Sequence, residues 1–232
     1  SAAAARLTID KYGKDAVRVV NSPVIEEHED NRRFLADVQR WLGVEIETAV
    51  NPKYPAASAR EVWEKRKFMS SPHGAPCTVE LKKEARRHWE EANPVEWHVL
   101  GFTAEEKKRH DRFVLTERSN VLPILIDAGM KKSDCLEMLT DAGIKLPVLY
   151  GLQFPNNNCR GCVKATSPSY WNLVRRTFPD VFADRAEQSR RLGVRLTRVK
   201  GERIFLDELK PDDVGQMEMN FDCNVFCEEP ER

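Results

Sequence analysis

The stretch from Leu146 to Cys162 constrains the fold more than any other part of the chain. Leu146-Pro147-Val148-Leu149-Tyr150-Gly151 is a short apolar run that meets Pro and Gly. Three amides follow at Asn156, Asn157 and Asn158, and Cys159-Arg160-Gly161-Cys162 closes the stretch. Cysteines at i and i+3 can turn both thiolates toward one centre, as soft-metal sites, iron–sulfur clusters and redox pairs require. One pair leaves a four-sulfur site incomplete. A fold built on such a site must carry distant cysteines to this turn.

The other cysteines are Cys77, Cys135, Cys223 and Cys227. Cys77-Thr78 opens a basic helix, and a helix start favours a thiolate. Cys135 lies beside Leu136 and Leu139 and reads as core, because a free Cys behaves as a small hydrophobe. Cys223 and Cys227 stand near an acidic tail. In a reducing cytoplasm, the compartment expected here, such cysteines bind metal or react more often than they form disulfides.

Acidic and basic residues balance at 37 each in 232 residues. That argues against a uniformly basic, nucleic-acid-coating surface and leaves room for a local basic cleft. No apolar run reaches the roughly 18 residues of a membrane span, and the opening Ala run is too short for a signal peptide.

In order, the chain reads helix, strand, helix, strand. Ser1 leads straight into Ala2-Ala3-Ala4-Ala5, a helix from its first turn to Tyr12-Gly13. A helix starting this way looks like the second half of a strand–loop–helix unit whose strand is missing. Ala16 to Val20 reads as a buried strand, Phe34 to Leu42 as an amphipathic helix ended by Gly43, and Val44 to Thr48 as the next strand. This rhythm predicts parallel βαβ units. A short helix is expected over Ala59–Phe68 and a longer one over Val79–Glu91. Trp97 to Gly101 reads as a strand, and Thr103-Ala104-Glu105-Glu106 as a capping box. Ser133 to Ala142 reads as a helix capped by Ser133. Two helices split by Pro179 follow, and then a hairpin across Lys200-Gly201-Glu202.

Ligands of doubly wound sheets sit at the carboxyl ends of strands. Gly101 and the nearby Arg109 are therefore candidates for holding an anion, and Glu27 and His28, after an earlier strand, are candidates for a substrate or metal role. Each also has a plain reading, as a solvated helix face or a polar loop.

Several stretches together resemble the phosphoadenylyl-sulfate reductase family. They are Pro123, Asp134, Leu146-Pro147, Leu149-Tyr150, Gly151 and Cys159-x-Gly161-Cys162. In order with them stand Glu27-His28-x-Asp30, Cys77-Thr78 with Leu81-Lys82-Lys83, and Gly101 with Glu105-Glu106 and Arg109. In the tail, Asp222-Cys223-Asn224-Val225-Phe226 is similar to the family's Glu-Cys-Gly-Leu-His motif, with Asn for Gly and Phe for His. The family's Ser-Gly-Gly-x-x-Ser loop is not in the sequence, and Ser1 looks like its last Ser.

The resemblance implies an α/β fold: a doubly wound parallel sheet of the adenine nucleotide alpha-hydrolase-like type, lacking its first strand. A nucleotide-binding core over residues 1–165 would carry a helical and hairpin extension over 166–232. It implies an enzyme that binds an adenine nucleotide, a phosphosulfate or ATP, and reduces or transfers sulfur. Cys223 would be the nucleophile. Ser1, Glu27, His28, Lys82, Gly101 and Arg109 would bind substrate. Cys77, Cys159, Cys162 and Cys227 would hold a [4Fe–4S] cluster, with zinc as the alternative. A thioredoxin-like donor, a nucleic-acid acceptor and self-association are the partners it allows. Two other readings stand beside it: an ATP-dependent adenylating sulfurtransferase, of the nucleobase-thiolation or DNA-phosphorothioation type, and a non-catalytic nucleotide or zinc module.

Overall fold

The computed structural model describes residues 1–71 and 74–217. Its elements, in order, are α1 (Ala2–Tyr12), β1 (Val19–Asn21), α2 (Asp30–Leu42), β2 (Ile46–Thr48), α3 (Ala59–Arg66) and α4 (Pro76–Thr78). The chain is wound as a π-helix over Val79–Glu84 and continues as α5 (Ala85–Ala92). Then come β3 (His98–Val99), α6 (Lys107–Thr116), β4 (Val121–Leu122), α7 (Ile124–Asp127), α8 (Lys132–Asp141) and α9 (Val148–Gly151). The last elements are α10 (Pro168–Thr177), α11 (Pro179–Arg191), β5 (Thr197–Val199) and β6 (Glu202–Ile204).

The fold is mixed α/β. β1 pairs with β2 in parallel, with Val19 opposite Ile46, and β3 pairs with β4 in parallel, with His98 opposite Val121. β5 and β6 form the antiparallel hairpin expected from the sequence, turning at Lys200 and Gly201, both at positive φ. Among the described residues the further pairings are isolated bridges.

The contacts divide the chain into two units that interleave along the sequence. The first comprises Ser1–Ser22, Glu29–Ala49 and Arg87–Pro147. Here α2 presents Phe34, Val38 and Leu42, spaced four apart, to Ile9 of α1 and to Val19 and Ile46 of the strands. The small residues Ala3 and Ala4 let the opposite side of α1 pack against Leu125 of α7. Gly43 ends α2 in the left-handed conformation that glycine adopts without steric cost.

The second unit comprises Pro23–His28, Val50–Arg86 and Val148–Arg232. Its core is aromatic and larger: Tyr54, Trp63, Trp171 and Phe154, with Leu81, Leu149, Leu196 and Leu206. Pro168 and Pro179 open α10 and α11 at helix positions where a missing N–H costs nothing.

Several expected boundaries moved. Ala16 sits in a 3₁₀ turn and β1 begins at Val19. The helix expected over Val79–Glu91 starts at Pro76, so Cys77 lies inside its first turn. Ser133 does not cap α8; the Asp134 carboxylate accepts the Lys131 N–H at 2.8 Å instead.

Candidate functional site

The Cys159–Cys162 turn belongs to the second unit, and three elements position it. The first is the segment Pro23–His28. Glu27 and Cys159 form an antiparallel bridge, and the Arg160 N–H donates to the Glu26 carbonyl at 3.0 Å. The Glu26 side chain reaches the start of α3. Its carboxylate accepts from Ser58 Oγ, Ala59 N and Arg60 N, each at 2.9 Å. A carboxylate over the free N–H groups of α3 is where a helix dipole favours negative charge. One short segment therefore ties the cysteine turn to the start of α3.

The second element is α10. Cys162 is buried, and its N–H donates to the Tyr170 hydroxyl at 2.8 Å. Gly161 turns the chain at φ +67°, and a Cβ there would meet Val181 Cγ1 at 2.9 Å. Glycine is needed both for the left-handed backbone and for this close approach. The three asparagines do not carry the left-handed conformation; Gln153 and Gly161 do.

The third element is the helical run from Pro76. Cys77 is half-buried and packs, as Cys159 does, against the aromatic core. The π-wound stretch that follows is a form that recurs at functional sites. From it Lys82 Nζ donates to Glu27 Oε1 at 3.1 Å. Also on it, Glu80 is 4% exposed and pairs with Arg66 Nε at 3.1 Å and Asn51 Nδ2 at 3.2 Å. Burial pushes the Tyr54 hydroxyl above its ordinary pKa, and the Glu80 charge adds to this.

Around the turn, His28 meets the Phe178 ring at 5.8 Å between centroids, and Arg160 lies over the same ring. A cavity of about 20 Å³ opens beside Cys159 and Cys162, lined by Leu149, Phe154, Asn156 and Tyr170 among others. That is room for a water-sized group.

Of the residues expected from the sequence, the second unit holds Cys77, Cys159, Cys162, Glu27, His28 and Lys82. The first unit holds Ser1, Gly101 and Arg109. Within it, a Cβ on Gly101 would lie 2.8 Å from Ser1 N, so the start of α1 runs against the end of β3. Arg109 pairs with Glu106 and lies over the Phe102 ring. Cys223 and Cys227 lie outside the described residues.

Among the described residues, no three His, Cys, Asp or Glu side chains are gathered as a metal-binding group. A four-sulfur centre would need donors from beyond residue 217. The described cysteines therefore do not by themselves fit a metal ion or cluster. Arg185 of α11 packs against the turn at Gly161, and its buried Nε has no hydrogen-bond partner among the described residues.

Glu26, Glu80 and Arg185 were not singled out in the sequence. Arg185 left a signal there. It shares a helical face with Phe182, Ala186 and Ser189, all buried, and a lone cation on an apolar face calls for a counter-charge.

Compared with protein-family models, curated proteins and solved structures, the chain matched none. No helix among the described residues is long and apolar enough to cross a membrane.

Proposed function

We propose that the chain is a phosphoadenylyl-sulfate reductase-like enzyme that binds an adenine nucleotide and reduces or transfers its sulfur through cysteine chemistry. The observation that carries this reading is the bridge between Glu27 and Cys159, with Lys82 bonded to Glu27. Residues expected to meet an anionic substrate thereby adjoin residues expected to handle sulfur. In this reading the parallel pairs β1–β2 and β3–β4 belong to one doubly wound sheet. Ser1 and Gly101 serve the phosphates, because backbone N–H groups at a helix start hold anions.

Cys77, Cys159, Cys162 and Cys227 would hold a [4Fe–4S] cluster, with zinc as the alternative occupant. When bound, the cluster supplies a charged, redox-capable sulfur centre. The protein's own residues do the rest. Lys82 neutralises substrate charge, Gly161 and Tyr170 fix the turn, and the Cys223 thiolate attacks the sulfur of the phosphosulfate: an S–S bond forms, the S–O bond to the nucleotide phosphate breaks with the nucleotide leaving, and the dithiol donor then frees sulfite as it is oxidised to a disulfide.

The test is anaerobic incubation with radiolabelled phosphosulfate and a dithiol donor, for the wild type and for Cys223→Ser and Cys159→Ala. Sulfite release that needs both cysteines supports the reading; release that needs neither overturns it. The second reading, an ATP-dependent adenylating sulfurtransferase, is favoured by Asn224 and Phe226 standing where the reductase motif has Gly and His. Pyrophosphate release from ATP, with a nucleic-acid acceptor present and no sulfite from phosphosulfate, would select it. If neither reaction occurs and Cys223→Ser leaves nucleotide or zinc binding unchanged, the chain is a binding module.

A further inference from the structure

We propose that Cys159 and Cys162, when no metal occupies them, are a thiol–disulfide exchange pair that a small aliphatic disulfide oxidises. This goes beyond the reading given above, because it needs neither nucleotide nor the tail cysteines.

Two sulfurs suit what the described chain places together. No third donor joins Cys159 and Cys162 in a metal-binding group among the described residues. An exchange pair needs none.

Cys159 and Cys162 are the ends of a turn whose central residues are Arg160 and Gly161. Gly161 has φ +67°, the left-handed value that a type II turn requires of its third residue. The ends of a turn lie within about 7 Å of each other, Cα to Cα. Disulfides span about 4.4–6.8 Å between Cα atoms. Both cysteines also line the cavity of about 20 Å³, so they border one space.

Hydrogen bonds hold this turn in place. The Arg160 N–H donates to the Glu26 carbonyl at 3.0 Å, and the Cys162 N–H donates to the Tyr170 hydroxyl at 2.8 Å. Just beyond, the Ala165 N–H donates to the Cys162 carbonyl at 3.1 Å, and Trp171 Nε1 donates to the Ala165 carbonyl at 2.8 Å. Val181, Arg185 and Trp171 pack around Gly161. Folding has then already met much of the ordering cost of closing a ring between the two sulfurs.

The two thiols differ in access. Cys159 is half-buried, and Cys162 is buried. Exchange therefore starts at Cys159. Its thiolate attacks one sulfur of the incoming disulfide; that S–S bond breaks, a new one forms to Cys159, and one small thiol leaves. The Cys162 thiolate then attacks the Cys159 sulfur, which closes the intramolecular disulfide and releases the second small thiol. The pair loses two protons and two electrons, and the incoming disulfide gains both. The plain alternative is that both thiols only fill core, as a buried Cys often does. Core filler gains nothing from closure, whereas a preset pair closes more readily folded than unfolded.

The experiment equilibrates the chelator-treated 232-residue chain, without nucleotide, in anaerobic buffers of reduced and oxidised glutathione. Samples are acid-quenched, digested at acidic residues and mapped by mass spectrometry, with circular dichroism as the check on folding. A parallel series runs in concentrated urea. The expected product is a Cys159–Cys162 disulfide, seen as the loss of two hydrogens from the peptide that holds both. Its equilibrium constant is expected to be about tenfold or more higher in the folded chain than in urea. In Cys162→Ser the reaction is expected to stop at a glutathione adduct on Cys159. Closure no more favourable folded than unfolded, a main product linking either cysteine to a different one, or an adduct on Cys162 in Cys159→Ser as fast as that on Cys159 would overturn the inference. None of these results bears on whether phosphosulfate yields sulfite. Conversely, sulfite release that needs neither Cys223 nor Cys159 would overturn the reductase reading and leave this pair standing.

Discussion

Glu27 and Lys82 meet at 3.1 Å across 55 residues of sequence, and Glu27 is also the residue that bridges to Cys159. Both side chains are mostly buried, at 23% and 18% exposure. A charge-assisted hydrogen bond in such a place is worth more than a surface pair. It sets the lysine beside the cysteine turn.

Lys82→Ala is therefore expected to weaken phosphosulfate or ATP binding by about tenfold or more, as the loss of a charged hydrogen bond of roughly 1.5–3 kcal/mol implies. Isothermal calorimetry on wild type and variant measures it. Equal affinities would remove Lys82 from the substrate site.

Gly161→Ala tests the turn. The backbone there is left-handed, and the new methyl would press on Val181 Cγ1 at 2.9 Å. Left-handed geometry alone costs about 1–2 kcal/mol for a residue with a Cβ, and the contact adds to it. A lower midpoint of urea unfolding is expected, with the slope unchanged.

Glu26→Ala removes the acceptor for three donors at the start of α3. A lost cap of this kind costs about 1–2 kcal/mol. The Cys159 turn hangs from the same segment. Faster proteolysis near residues 23–28 and a lower melting temperature are expected together.

Glu64 on α3 gives a pH signature. It accepts from Arg191 and Gln188, and these bonds, Arg191 first, hold its pKa down to about 2 from the usual 4.5 against the opposing pull of burial. A depressed carboxylate contributes stability that is complete above the unfolded value and lost as pH falls through the folded one. The contribution should thus fade between about pH 4.5 and pH 2. Glu64→Gln is expected to flatten that part of the stability–pH curve and to change little at pH 7 beyond the small value of a partly exposed pair. Chemical denaturation across pH 2–7 measures it.

The local elements were legible in the residues. The Ala run gave α1, the four-residue spacing of Phe34, Val38 and Leu42 gave α2, Gly43 gave its end, and Pro179 gave the break before α11. Lys200-Gly201 gave the hairpin. Each of these signals acts within a turn or two of helix or across one tight loop. The π winding over Val79–Glu84 was not legible, because six residues of i→i+5 winding leave no period to read. Nor was the Ser133 cap read correctly: α8 already begins at Lys132, and Asp134 at its third position reaches back to the Lys131 N–H.

For the site, the sequence by itself determined the chemistry: which residues carry thiols, which turn needs glycine, and which helix start presents a cysteine. Tertiary structure alone decided the company they keep. It bridged Glu27 to Cys159, turned Glu26 onto α3, and buried Arg185 behind Gly161. Such contacts join residues far apart in the chain. They are chosen by how the aromatic core around Trp63 and Trp171 packs, and no short window of sequence records that choice.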